Sequence, residues 1–134
     1  MFRLQSEPIR AEQLAVDARG DADGAVALFL GTVRNHNRGR DVVQLEYHAY
    51  PEMAGAEMAR IEAEALERFQ VSRIAVVHRV GRLDVGEAAV AVAVASAHRA
   101  EAFDACRWVM DTLKTRLPVW KKEHFRGGEV WIEP

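Results

Sequence analysis

Cysteine is nearly absent from this chain: Cys106 is the only one in 134 residues. A disulfide framework and a metal site built on cysteine spacing are therefore excluded, and a reducing compartment is implied. Long apolar runs are missing as well. No stretch reaches the roughly 18 residues of a membrane-spanning helix, and the opening Met-Phe-Arg-Leu-Gln-Ser-Glu lacks the apolar centre of a signal peptide. A soluble, cytoplasmic protein without membrane contact is expected. Charge of one sign is also scarce, because 18 basic and 20 acidic residues leave a net −2. That balance disfavours extended nucleic-acid binding. The five histidines, at 36, 48, 78, 98 and 124, do not fall at helical ligand spacings, so no metal is expected. There is no phosphate-binding loop ending in Gly-Lys-Ser/Thr, no dinucleotide glycine pattern and no serine elbow, and no cofactor is expected.

Apolar residues, by contrast, are plentiful. At 49% hydrophobic, residues 1–134 suffice for a single domain that buries about two thirds of its unfolded surface. Phe2 to Leu4 reads as a short edge strand and Pro8 to Ala18 as a short helix, followed by a turn over Asp21 to Gly24. The apolar run Ala25 to Val33 suits a strand covered on both faces. A polar, basic loop, Asn35 to Asp41, comes next. Val43 to Tyr50 alternates, with Val43, Leu45, Tyr47 and Ala49 on one side and Gln44, Glu46 and His48 on the other, and is expected to form a hairpin with the strand before it.

Pro51 opens a helix to about Arg68 with a buried stripe of Ala54, Met58, Ile61, Ala65 and Phe69, and with Glu64 and Arg68 spaced to pair. Arg73 to Val80 and Glu87 to Ala95 are two more strands, separated by a loop with Gly81 and Gly86. Arg99 to Arg116 is the last long helix, its seam formed by Phe103, Cys106, Met110 and Leu113, and Glu129 to Ile132 is a final short strand. Cys106 on that seam reads as a packed thiol. The order implies an α+β fold, a mixed and largely antiparallel sheet with packed helices.

Chemistry concentrates late in the chain. Between Thr112 and Gly128 stand Lys114, Arg116, Lys121, Lys122 and Arg126 against one acid, Glu123. Pro118 should stop the preceding helix, leaving Lys114 at its end and Lys121 and Lys122 on the segment beyond. Lysines at a helix end can simply neutralise the dipole. Trp120 beside two of them suggests instead a pocket wall that limits water. Crowded or desolvated ammonium groups titrate below their ordinary range and become usable acids, bases or nucleophiles.

Two further places suit an anion. Arg34 directly follows a buried strand, which gives its guanidinium a fixed origin for gripping phosphate or carboxylate. Ser96-Ala97-His98-Arg99 joins a strand to a helix N-terminus, where free N–H groups attract anions. Arg99 and Lys114, however, lie 15 residues apart on one helix, about 22 Å along its axis. If both act, there are either two anion sites or pockets completed by a second copy of the chain, and a homodimer with shared pockets keeps every feature in use.

Five ordered stretches carry a family resemblance: Gly31-Thr32-Val33-Arg34-Asn35-His36-Asn37, Tyr47-His48-Ala49-Tyr50-Pro51-Glu52-Met53, His78-Arg79-Val80-Gly81, Ser96-Ala97-His98-Arg99, and Leu113-Lys114-Thr115-Arg116 through Trp120-Lys121-Lys122-Glu123. From about Gly24 to Trp131 the chain resembles the large, catalytic subunit of molybdopterin synthase. The resemblance implies a sulfurtransferase of molybdenum-cofactor synthesis that installs a dithiolene on cyclic pyranopterin monophosphate. It also implies a small ubiquitin-like partner whose C-terminal Gly-Gly thiocarboxylate supplies the sulfur, and a heterotetramer built on a central homodimer of this chain. On the same basis Lys114 and Lys121 are the catalytic residues. Arg34, His98 and Arg99 hold the substrate anion, Lys122 and Glu123 line the same pocket, and Thr32 and Val33 add backbone contacts.

Members of that family often continue past the last strand with a polar tail that can bring another basic residue to the pocket. Here the sequence ends at Pro134, so that role is expected to be absent or met by another residue such as Arg126. His48 stands where many relatives carry an acid, which should matter little on a strand's wet face. An RNA-binding module would instead need aromatics on an open sheet face, and only Tyr47 and Tyr50 are near, in opposite registers. A scaffold lacking activity would have no need of Lys114, Lys121, Arg34 and Arg99 together.

Overall fold

The computed structural model describes residues 1–132; Glu133 and Pro134, on which the expectation about the chain end falls, lie outside the described residues. The elements run β1 (Phe2–Gln5), α1 (Ala11–Ala18), β2 (Ala25–Thr32), β3 (His36–Asn37), β4 (Arg40–Ala49), α2 (Pro51–Arg68), β5 (Arg73–Arg79), β6 (Gly81–Asp84), β7 (Ala88–Ser96), α3 (Arg99–Arg116), β8 (Val119–Phe125) and β9 (Gly128–Ile132). The α+β class stands, with the strands shared between two sheets. One has the order β1-β5-β7-β2, parallel only between β1 and β5. The other has the order β3-β4-β8-β9, with β6 pairing β4 further along, from Gln44 to Tyr47.

Side-chain size sorts the two faces of the first sheet. On β7, Val90, Val92 and Val94 meet α2 and α3 through Met58, Ile61, Ala102, Ala105 and Val109. The alternate residues Ala91 and Ala93, with Ala75 and Val77 of β5, meet Leu14 and Ala18 of α1. Strand alternation thus gives each face its own helix layer, and the alanines admit α1 closely. Val33, Val42, Leu45, Leu83 and Ala89 form a separate cluster beneath the second sheet.

Several expectations are corrected. β2 is an edge strand with Leu28, Phe29 and Leu30 exposed, so its apolar character is not explained by burial within one chain. β4 does not form a hairpin with β2; β2 pairs with β7, whereas β4 turns back on β3 and pairs with β6 and β8. The turn between β3 and β4 is two residues long, Arg38 and Gly39, both at positive φ (51° and 77°), as the right-handed twist of a tight hairpin requires. A register irregularity between Val42 and Gln44 sends Val43 outward at 59% exposure and puts Val42 in the core.

The loop after β5 contains the unforeseen strand β6, and the segment after Pro118 is the strand β8. On α3 the buried stripe is Ala102, Ala105, Cys106, Val109 and Leu113, while Phe103 faces out. Glu64 pairs with Arg116 of α3 at 2.7 Å, and Arg68 lies over the Trp108 ring. Arg116 also reaches Glu57 at 2.7 Å, so two carboxylates of α2 hold the end of α3 that carries Lys114.

Gly24 sits where β2 starts against the turn from β7 into α3. A Cβ there would stand 2.6 Å from the Ala97 carbonyl oxygen, and backbone cannot yield as a side chain does. Gly24→Ala is expected to cost about 1–3 kcal/mol, as overpacking does, read as a lower midpoint in chemical denaturation. An unchanged midpoint would show that this turn gives way freely.

Candidate active site

Pro118 ends α3 after Arg116 and turns the chain into β8, which then lies beside β4 with Tyr47 opposite Lys121 and Leu45 opposite Glu123. Period-two alternation along β8 decides which side chains share a face. Lys121 and Glu123 point inward. Lys122 and His124 point outward, where Lys122 bonds Glu129 at 2.9 Å and stands 5.4 Å from the Trp131 ring, and His124 bridges Glu46 and Glu129 at 3.2 Å each.

Lys121 and Tyr47 form the shared wall of two small cavities. The first, about 150 Å³, contains Lys114 from α3 and His78 from β5, with Val90, Met110, Leu113, Leu117, Val119 and Ile132 closing it apolarly. The second, about 100 Å³, contains Thr32, Arg34, His36, Asn37 and Glu123. A larger open groove of about 770 Å³ runs between α1 and β1, but its exposed charges are of mixed sign and none of the lysines reaches it.

Glu123 is 1% exposed and accepts bonds from Asn37 Nδ2 at 2.7 Å and Arg40 Nε at 3.1 Å. One carboxylate of β8 thereby clamps both strands of the β3–β4 hairpin, and the hairpin brings Arg34 and Arg38 within electrostatic reach of Lys121. Burial holds the Lys121 amine below the ordinary lysine range. The Lys114 charge pushes in the same direction, Glu123 opposes it, and Arg34 and Arg38 add smaller depressions. Tyr47 is pushed up to about 12 by burial. It therefore remains a neutral phenol beside the cations.

The sequence-derived residues divide. Lys114, Lys121, Arg34, Thr32 and Glu123 come together. Lys122 does not join them, and Trp120 lines an outer groove with His48, Ala49, Tyr50 and Trp131 and leaves the lysine cavity to aliphatic walls. Val33 is 3% exposed, and its N–H and carbonyl are already bonded to Glu87 and Gly86. His98 and Arg99 are exposed at the opposite end of α3 from Lys114. His98 holds the cap position of α3, and Ser96 Oγ donates to the Gln70 carbonyl and accepts from the His98 N–H. Arg126 is exposed just after β8, its backbone N–H bonded to Asp41. Cys106 is buried, with its thiol pushed up to about 11, consistent with a packing role.

Two wall residues, Tyr47 and His78, were not among the site residues expected from sequence. Tyr47 lies on the inner face of an alternating strand, and His78 is the first polar residue after the apolar run of β5. Both signals also describe ordinary core positions. Among the described residues no helix is long and apolar enough to cross a membrane, and no group of three or more His, Cys, Asp or Glu side chains is placed to hold a metal.

The fold and site define an α+β domain that brings two lysines, one of them desolvated, to a small cavity beside a second one holding Arg34, an arrangement suited to an anionic guest. The family model described as "MoaE protein" matches residues 4–116. A molybdopterin synthase catalytic subunit of Pyrococcus abyssi (strain GE5 / Orsay) is 46% identical over 127 residues, 95% of this chain and 86% of the relative. The catalytic subunit of Salmonella typhimurium (strain LT2) is 48% identical over 116 residues, 87% and 77% of the two chains. The crystal structure of molybdopterin synthase from Staphylococcus aureus superposes with a TM-score of 0.93 at 35% identity, covering 98% of this chain and 96% of that one. The chain belongs to the MoaE protein family.

The depressed Lys121 amine makes stability depend on pH. Between its folded value and the 10.5 of a free lysine the unfolded chain binds more protons than the folded one, so stability rises with pH through that window. Lys121→Met should abolish this rise, seen as a variant whose stability falls relative to wild type between neutral pH and pH 10. A parallel pair of stability curves would show that Lys121 titrates as a solvated lysine.

Proposed function

We propose that this chain is the catalytic subunit of molybdopterin synthase, transferring sulfur from the C-terminal thiocarboxylate of a small ubiquitin-like subunit to cyclic pyranopterin monophosphate to form the dithiolene. The observation that carries the reading is the meeting of Lys114 and Lys121, from a helix end and a separate strand, at one cavity of about 150 Å³. A flexible Gly-Gly tail is narrow enough for such a space. A thiocarboxylate arriving there is an anion met by two ammonium groups. Lys121, its amine depressed by burial, gives and regains a proton more readily than a free lysine, and Lys114 can hold the carboxylate left when sulfur departs and water supplies the oxygen. Arg34, on the second cavity, suits the substrate's phosphate. The protein acts as one domain, and in the cytoplasm, where the lone thiol stays reduced.

His98 and Arg99 enter through a second copy. β2 starts beside the β7–α3 turn, with Ala25 opposite Ser96, and ends just before Arg34. Among the described residues its outer edge is unpaired, and it carries Leu28, Phe29 and Leu30, with Phe103 of α3 exposed nearby. Antiparallel pairing of this edge with its own copy about a two-fold axis covers the apolar residues. It also sets the start of one β2 beside the end of the other. His98 and Arg99 of one copy then stand near Arg34 of its mate, and the about 22 Å along α3 ceases to separate the site's parts.

A single-turnover assay with purified pyranopterin substrate and thiocarboxylated small subunit tests the reaction. Wild type should form molybdopterin, with Lys114→Ala and Lys121→Ala slower by about 10²-fold or more. No product despite a stable complex would leave only a scaffold. The shared pocket is tested by mixing two inactive variants, Lys114→Ala and Arg99→Ala, under conditions of subunit exchange. Random pairing makes half the dimers hybrid, each with one intact pocket, so activity should return to about one quarter of wild type. Failure to complement, with exchange confirmed, would place each site within one chain.

A further inference from the structure

His78 is a buried titratable group with no part in the chemistry above. It is 7% exposed, lies on the central strand β5, and lines the cavity that holds both lysines. Its Nδ1 lies 2.7 Å from the Arg79 carbonyl. A carbonyl can only accept, so Nδ1 carries the proton and Nε2, at the tip of the ring, is left with a lone pair. No protein hydrogen bond to Nε2 is found among the described residues. Tyr47 packs edge-on against the ring at 5.1 Å between centroids, which fixes its plane.

The cavity has a shortage that this nitrogen answers. Its polar lining otherwise consists of the Lys114 and Lys121 ammonium groups, which only donate, and the Tyr47 phenol. Glu123 belongs to the neighbouring cavity, where Asn37 and Arg40 occupy it. A carboxylate among the lysines would anchor an ammonium but also raise its pKa and compete with an anionic guest. A neutral imidazole accepts without doing either. Burial, and secondarily the Lys121 charge, keep His78 below the ordinary histidine range, against the pull of the Arg79 carbonyl. It therefore stays uncharged near neutrality.

We propose that His78 is a positioning residue of this site, whose Nε2 is the uncharged acceptor that receives the Lys121 ammonium across the cavity and aims it at the guest. The proposal rests on the catalytic role given to Lys121, but its central test does not. The groups bearing on Lys121 are Lys114 from α3, Tyr47 from β4, Glu123 from β8 itself, Arg34 and Arg38 from the hairpin, and His78 from β5. Only the last is changed.

The test is the pH dependence of Lys121 reductive methylation, followed residue by residue by mass spectrometry in the full-length protein, with Lys114 as internal reference. An acceptor stabilises the charged amine. His78→Leu should therefore move the Lys121 titration to lower pH by about half a unit, raising its reactivity about three-fold on the acid side. His78→Gln, with an amide oxygen as neutral acceptor, should restore most of the wild-type position. His78→Glu should move the titration the other way. In single turnover with the thiocarboxylated small subunit, His78→Leu should lose rate at saturation more than affinity for the small subunit, with partial rescue by Gln. If Lys121 titrates identically in the Leu, Gln and Glu variants, the acceptor role is overturned, whatever the activity. If Leu and Glu unfold, His78→Met takes the place of Leu: a downward Lys121 shift that the Gln variant does not show supports the proposal, and a Lys121 that titrates alike in Met, Gln and wild type overturns it. Shifts as expected in an enzyme that forms no molybdopterin would preserve the contact while refuting the catalytic reading on which it rests.

Discussion

A buried carboxylate joins the two halves of the site. Glu123 is sealed beneath the β3–β4 hairpin, and its oxygens are met by Asn37 and by Arg40. An isolated carboxylate at that depth would be prohibitive, whereas a satisfied one resists any movement that would strip it of partners. The hairpin is therefore tied to β8, and Arg34 is held near Lys121, its distance set by the length of one short connection. The same negative charge tempers the mutual repulsion of Lys121, Lys114, Arg34 and Arg38, leaving Lys121 depressed without expelling it from the cavity.

Around that clamp the fold divides its labour. The first sheet, sandwiched between α1 and the α2–α3 pair, supplies a rigid floor from which His78 projects. The second sheet supplies Tyr47, Lys121 and Glu123 from adjacent strands. α3 bridges them, its end fastened by Arg116 to Glu57 and Glu64, so that Lys114 arrives at a defined place on an otherwise exposed turn. Side chains from a helix, two strands and a hairpin converge on a space that could not be built from any one of them. That arrangement suits the proposed reaction, in which two anions, a tail and a phosphorylated small molecule, must be held close while sulfur passes from one to the other.

The helices and most strand positions were legible in the sequence. Pro51 and Pro118 mark a helix start and a helix stop, and the alternation after Gln44 gives β4 its wet face; α2 and α3 have the expected limits. The grouping of Lys114, Lys121 and Arg34 was implied only by the family resemblance, whereas the helix and strand limits, and the packed thiol of Cys106 on a helix seam, followed from their own stretches of chain. Those signals are local. They depend on backbone donors, dihedral limits and side-chain period, which a short stretch of chain expresses by itself.

Pairing between distant strands is not local, and there the sequence was silent or misleading. Nothing in Ala25 to Thr32 distinguishes a central strand from an apolar edge, because the same residue types serve both, covered by neighbouring strands in one and left exposed within the chain in the other. The β2–β4 hairpin was a fair inference from adjacency, overturned because β7 offers β2 a longer apolar match while β4 turns back at Arg38 and Gly39. Lys121 and Lys122 look equivalent as letters; only the sheet that β8 joins sends one into the cavity and the other onto Glu129 and Trp131. His78 reads as an ordinary core histidine until the tertiary structure brings two lysines to the same cavity. The sequence by itself determined which segments are helical, where the positive charge gathers and which family the motifs resemble. Only the tertiary structure decided which of those charges face one another, because that follows from strand register and burial across the whole chain.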